Sequence, residues 1–133
     1  MNRDKIKFRI AVSLTLFFGM FGIAQSSWAA DVFVAQTASG SDSGANCANA
    51  HSVAWLNTSG NWTNPKQEGK VGPGDTVHLC GILTSLMKTR AAGEVDNLIT
   101  IQFEPGAAFS APTWVHASEE GIITIGHNNI VIK

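Results

Sequence analysis

The sequence predicts a mainly β fold in which short strands wind in one direction as stacked parallel coils. Three observations carry that prediction. Short β-rich runs recur, each bounded by Gly, Pro, Asn or Asp. Three of them begin at Thr76, Ile99 and Ile122, in steps of 23 residues, the kind of period that solenoid coils show. No Asn-Gly or Asp-Gly pair joins two alternating segments, as a tight hairpin requires. Long intervals without strong helical periodicity favour coils; a plain antiparallel sandwich is the competing arrangement.

Ahead of that domain, residues 1–29 read as a cleavable signal peptide. Arg3, Lys5, Lys7 and Arg9 against Asp4 make a basic opening, and residues 10–24 are almost wholly apolar. That run is short of the roughly 20 residues a membrane-spanning helix needs. Ser27 and Ala29 supply small side chains at the −3 and −1 positions, which places cleavage after Ala29. An exported protein, secreted or periplasmic, with no membrane segment after cleavage is the expectation. Removal of the leader takes away four of nine basic residues and one of ten acidic ones, leaving five and nine, a net charge of −4. A mildly acidic domain without a basic stripe excludes nucleic acid as the expected partner, because that binding depends on clustered Lys and Arg.

About 100 residues make one small domain, which buries a modest core and gains from staples. Cys47 and Cys80 both lie beyond the leader, and an oxidising compartment favours a disulfide between them. Such a bridge closes a loop worth about 3 to 4 kcal/mol in chain entropy. Two buried thiols or a metal pair are the alternatives, although two cysteines without a C-x-x-C spacing make a poor zinc site.

Along the domain, residues 31–35 (DVFVA) form a β-rich run that enters a Gly-, Ser-, Asp- and Asn-rich loop at 37–46. Residues 48–57 are Ala-rich, with Ala50, Val53, Ala54 and Asn57 at helical spacing, and predict a short helix ending at Thr58-Ser59-Gly60. Pro65, Pro73 and several glycines keep regular structure out of 61–74. Strands are then expected at 76–79, 99–103, 122–125 and 130–133. Alternation puts Val77, Leu79, Ile99, Ile101 and Phe103 on a buried face and His78, Thr100 and Gln102 on a wet one. The domain plan is therefore a strand, loop and capping helix over 30–74, followed by coils over 75–133.

Val32-Phe33-Val34 followed by Gly40-Ser41-Asp42, then Gly72-Pro73-Gly74-Asp75-Thr76-Val77, resembles the amino-terminal part of secreted right-handed parallel β-helix proteins of the pectate-lyase-like kind. Ile99-Thr100-Ile101-Gln102-Phe103-Glu104-Pro105-Gly106-Ala107 and Asn128-Asn129-Ile130-Val131-Ile132 extend the resemblance over nearly all of 31–132. It implies a right-handed coil whose open first turn is covered by the helix, with Trp55 and Trp62 as lids over the core rather than sugar-stacking plates. Asp75 suits the turn that leads into its strand. The chain halts at Lys133 directly after an apolar strand, which reads as a truncated or fragmentary coil.

No catalytic constellation is visible. His51, His78, His116 and His127 lack ligand spacing, so no metal or cofactor is expected, and solvent-facing or turn positions are the reading for all four. Glu119-Glu120 are adjacent and read as a solvated turn, because glycosidase carboxylates must flank a bond from opposite sides. Asp42 alone gives too few oxygens for calcium. No nucleophile turn of the G-x-S-x-G type is present. Asn57-Thr58-Ser59 and Asn61-Trp62-Thr63 match the N-glycosylation pattern. Trp114 and His116, after Pro112, are the candidate carbohydrate contacts, with packing of Trp114 on a neighbouring coil as the alternative. The resemblance implies a relative of polysaccharide-acting lyases and hydrolases without catalytic activity of its own. An adhesin-type shaft, and the leading part of a lyase whose active coils lie beyond residue 133, are the other readings. Oligomeric state is not legible.

Overall fold

A computed structural model of the chain describes residues 29–110, 121–124 and 126–133. Residues 1–28 of the expected signal peptide and the pair Trp114 and His116 lie outside those residues, as do Glu119 and Glu120. The described part is mainly β, with parallel strands and little helix.

The first strand, β1 (Asp31–Ala35), runs parallel to a two-residue strand, β2 (His51–Ser52), which leads directly into α1 (Val53–Leu56). The helix is much shorter than the Ala-rich stretch predicts. Residues Cys47–Asn49 form a 3-10 turn capped by Asn46, and Ser52 caps α1 by accepting from the Trp55 N–H. Each cap restarts the chain, and the residues between them are drawn into pairing with Val34 and Ala35. Propensity alone is a weak force against a ladder that offers hydrogen-bond partners. From 61 to 74 the only ladder contact is an isolated bridge between Trp62 and Val71.

Three strands then follow in close succession: β3 (Thr76–Cys80), β4 (Ile82–Leu83) and β5 (Met87–Lys88). A second series repeats the order as β6 (Ile99–Phe103), β7 (Ala108–Phe109) and β8 (Ile122–Ile123), and β9 (Ile130–Ile132) comes last. All pairings between them are parallel. The main sheet has the order β2-β1-β3-β6-β9, and two small ladders join β4 to β7 and β5 to β8. Gly81, between β3 and β4, has φ +69°, a conformation that glycine adopts without steric cost and that lets one residue turn the chain between sheets.

The even step of 23 does not survive in the pairing. Thr76 lies beside Thr100, but Ile99 lies beside Ile130, and Ile122 belongs to a different ladder, beside Met87. The coincidence of starting points at 76, 99 and 122 mixed two ladders, because the lengths of the connecting turns vary while the strands stack.

Alternation does predict the core. In register, Val32, Val77, Ile101 and Ile132 form one row and Val34, Leu79 and Phe103 the next. Val34, Val77, Leu79, Leu83, Met87, Ile99 and Ile101 are fully buried, with Phe109 and Ile122 from the two small ladders and Ile130 from the main sheet packed against them. At the β1 side, Val53, Leu56, Trp62 and Val71 cover this interior. The Trp62 indole N–H donates to the Leu56 carbonyl, so the lid is tied to the helix beneath it. Asn57, after α1, accepts from the Lys88 N–H and donates to the Leu86 carbonyl, both at 2.7 Å. One side-chain amide therefore fastens the helix to β5. Cys47 and Cys80 are bonded, with 5.6 Å between their Cα atoms. The bridge joins the loop after β1 to the end of β3, where Cys80 lies beside Ala35.

Candidate functional site

Strand β1 is the shared wall of two polar arrangements. On its outer face, alternation sends Asp31 and Phe33 away from the core, and register places Phe33 beside His78 of β3. The two rings stack with centroids 4.4 Å apart. His78 Nδ1 lies 2.6 Å from a Glu104 oxygen and Nε2 3.0 Å from an Asp31 oxygen. His78 thus occupies the outer face, as alternation predicts, but its side chain is only 13 % exposed. Burial is the largest single influence on this imidazole and lowers its pKa; the hydrogen bonds and charges of Glu104 and Asp31 together outweigh it, and the pKa is raised. With both ring nitrogens engaged by carboxylates, His78 clamps β1, β3 and the turn after β6 together.

The second arrangement exists because β2 is so short. It pairs with only Val34 and Ala35, leaving the beginning of β1 to be flanked by the loop at 42–44 and the turn at 66–70. Phe33 N–H donates to the Gly44 carbonyl there. A cavity of about 180 Å³ results, lined among others by Asp31, Ser43, His51, Trp55, Lys66 and Lys70. This is below the roughly 300 to 1,000 Å³ of ordinary ligand pockets and suits a single small ring or a chain end.

His51 dominates the wall. Its Nδ1 lies 2.8 Å from Asp42, and its ring stacks on Trp55 at 3.9 Å. Asp42 reaches it from a left-handed backbone, φ +53°, a conformation that Asp tolerates better than most residues. Gly44 lies against the imidazole, where a Cβ would approach the ring to 2.6 Å. The wall thus presents the Trp55 plate with the His51 ring stacked on it. Trp55, expected as a lid, is half-buried and divides its surface between core and cavity.

Behind the cavity lies a buried ion pair. Asp75 is fully buried, and its carboxylate accepts from Lys66 Nζ at 2.5 Å and from the Gly72 and Ala30 N–H groups at 2.8 Å each. Lys66 also donates to the Lys70 carbonyl at 2.6 Å. Asp75 closes the turn into β3, as expected, its N–H donating to the Gly72 carbonyl at 3.1 Å, while its carboxylate faces the interior, where three donors replace its water shell.

The histidines expected in solvent are therefore held by partners: His51 by Asp42, His78 by two acids, and His127 by Thr89 at 3.2 Å. His116 lies outside the described residues. Among the described residues no group of three or more His, Cys, Asp and Glu side chains is assembled to hold a metal ion, and no helix is long and apolar enough to cross a membrane. Both sequon asparagines use their side-chain N–H groups inside the fold, Asn57 to Leu86 and Asn61 to Trp55, so a glycan on either displaces a structural hydrogen bond. Comparison with family models, with curated proteins and with solved structures finds no match to this chain.

Proposed function

We propose that this is an exported parallel solenoid, right-handed and of the pectate-lyase-like kind, whose described residues form the capped first turns, and that it binds polysaccharide without cleaving it. One observation carries the reading: β3, β4 and β5 are each paired in parallel with β6, β7 and β8 in the same order, over one apolar interior. Repeated turns of a coil produce that correspondence, and a sandwich with hairpin connections does not. A disulfide agrees with an oxidising compartment.

The carbohydrate part draws on the cavity beside β1, where Trp55 and His51 offer a ring surface and Lys70 and Ser43 offer polar groups. The clusters around His51 and His78 read as positioning and structural, because neither sets two carboxylates across an open gap.

Retention of the purified protein on immobilised acidic and neutral polysaccharides tests this reading. Retention by at least one class is expected, with no new reducing ends or unsaturated products in solution. Trp55→Ala is expected to lose retention while far-UV circular dichroism shows it still folded, with a lowered melting temperature because Trp55 also packs on the core. Failure to bind any polysaccharide refutes the carbohydrate reading and leaves the coil as an inert shaft.

A further inference from the structure

The third donor to Asp75 has a chemical identity that depends on processing. Two of its donors, Lys66 and Gly72, belong to the segment just before it, whereas Ala30 N lies 45 residues away. Ala30 is also the residue that follows the small-x-small site Ser27-Trp28-Ala29. Within the uncut chain its nitrogen is a neutral amide. We propose that cleavage after Ala29 converts this nitrogen into an α-ammonium that docks on the buried Asp75 carboxylate, making the mature amino terminus a structural cation of the fold.

Hydrolysis of the Ala29–Ala30 bond consumes one water. The C–N bond breaks, the water oxygen goes to the Ala29 carbonyl carbon, and Ala29 departs with the leader as a carboxylate. The freed nitrogen takes up protons and becomes –NH₃⁺ at neutral pH. An endopeptidase of the exporting membrane, of the class that reads small side chains at −3 and −1, is the catalyst.

The surroundings fit that product. Ala29 is exposed and Ala30 half-buried, so exposure falls across this bond. The Ala30 carbonyl accepts from the Thr76 N–H at 3.0 Å while its nitrogen lies on Asp75, so the residue is gripped from both sides. Ala30 N meets one carboxylate oxygen and Lys66 the other, which lets a single acid serve two cations. Asp31, Lys70 and His51 are the other charged or titratable groups that line the cavity with Ala30. The amide bond to Asp75 is already charge-assisted through its acceptor, and the ammonium adds the attraction of a second, opposite charge at 2.8 Å. Processing therefore tightens the start of β1 after export, when the domain must hold without the leader.

The inference rests on the export reading, and the test separates the two. The full chain is produced in a host with an export pathway, and the exported product is weighed intact by mass spectrometry. It is then treated with a limiting amine-acylating ester across pH, folded and in urea. The expected product begins at Ala30, and its α-amine reacts about tenfold or more slowly in the folded protein, with an apparent pKa above the ordinary range of about 7.7 to 8.0. Burial without the carboxylate lowers that pKa instead, which distinguishes docking from mere shielding. Asp75→Asn is expected to restore reactivity; should that variant not fold, the folded and unfolded wild type still decide the matter. A product beginning elsewhere, or an Ala30 amine that titrates at or below the ordinary range, overturns the inference alone. A chain retained uncut inside the cell overturns the export reading with it.

Discussion

Removal of the Cys47–Cys80 bridge is the perturbation with the most direct magnitude. The two residues are separated by 33 positions, and the chain-entropy relation for such a loop gives about 3.7 kcal/mol at 25 °C. Little else should change in Cys47→Ala/Cys80→Ala, because Cys47 is exposed and alanine retains most of the small apolar volume of Cys80. A domain of about 100 residues has on the order of 5 to 15 kcal/mol in total, so the loss is a quarter or more of its stability. With a urea slope of about 1 to 2 kcal/mol per molar, the midpoint falls by about 2 to 4 M. Urea titration followed by tryptophan fluorescence reads this through Trp62, which is buried in the lid. A shift under about 0.5 M in the double variant would refute the reasoning and mean that the cap is held by packing alone.

Three further outcomes are expected. His78 has a raised pKa, so its contribution is fully present below its ordinary value of 6.5 and is lost as pH rises through the folded value; stability should decline from mildly acidic to alkaline pH, and His78→Gln should flatten that slope in urea titrations at a series of pH values. Asp75→Asn leaves the Lys66 ammonium buried without its counter-charge and should cost about 3 to 5 kcal/mol by urea titration; a loss under about 1 kcal/mol would count against the ion pair. Leu79→Ala removes a fully buried side chain between Val34 and Phe103 and should cost about 2 to 5 kcal/mol by the same assay, with a change under about 1 kcal/mol arguing against the row-by-row core.

The strands were legible because burial on one face writes a period of two into the sequence. Val77 and Leu79, then Ile99 and Ile101, are apolar for the same reason and lie on adjacent strands. Pairing partners were less legible. Nothing local in Ile122 tells whether it belongs above Ile99 or beside Met87; that depends on the length of chain between the strands, which carries no periodic signal. The capping helix was overextended for a related reason. Ala-rich sequence permits a helix, but the Asn46 and Ser52 caps and the exposed edge of β1 divide the segment before it can propagate. As for the clusters, His51 and Asp42 are nine residues apart, and their contact depends on a left-handed turn at Asp42 within Gly-Ser-Asp-Ser-Gly. His78, Asp31 and Glu104 are brought together only by register, which joins positions 47 and 26 residues apart.

Register also accounts for a charge beside the apolar interior. Extending the Thr76–Thr100 pairing back by one residue places Asp75 beside Ile99, an interior position that a slip of one residue would exchange for the outer face. At that position the carboxylate finds Lys66, Gly72 N and Ala30 N together. Shifting β1 by two residues along β3 keeps every apolar side chain on the correct face, so hydrophobic burial by itself discriminates weakly between the two alignments. It does, however, carry Ala30 N away from Asp75 and leave one buried oxygen without its donor, a penalty of about 1 to 3 kcal/mol or more for a charged group. The polar cluster therefore selects among alignments that the greasy rows tolerate. The same logic holds on the outer face, where a two-residue shift would part Phe33 from His78 and Asp31 from its imidazole nitrogen. Two polar contacts on opposite faces of β1 define one alignment of the first strand, upon which the later pairings are built.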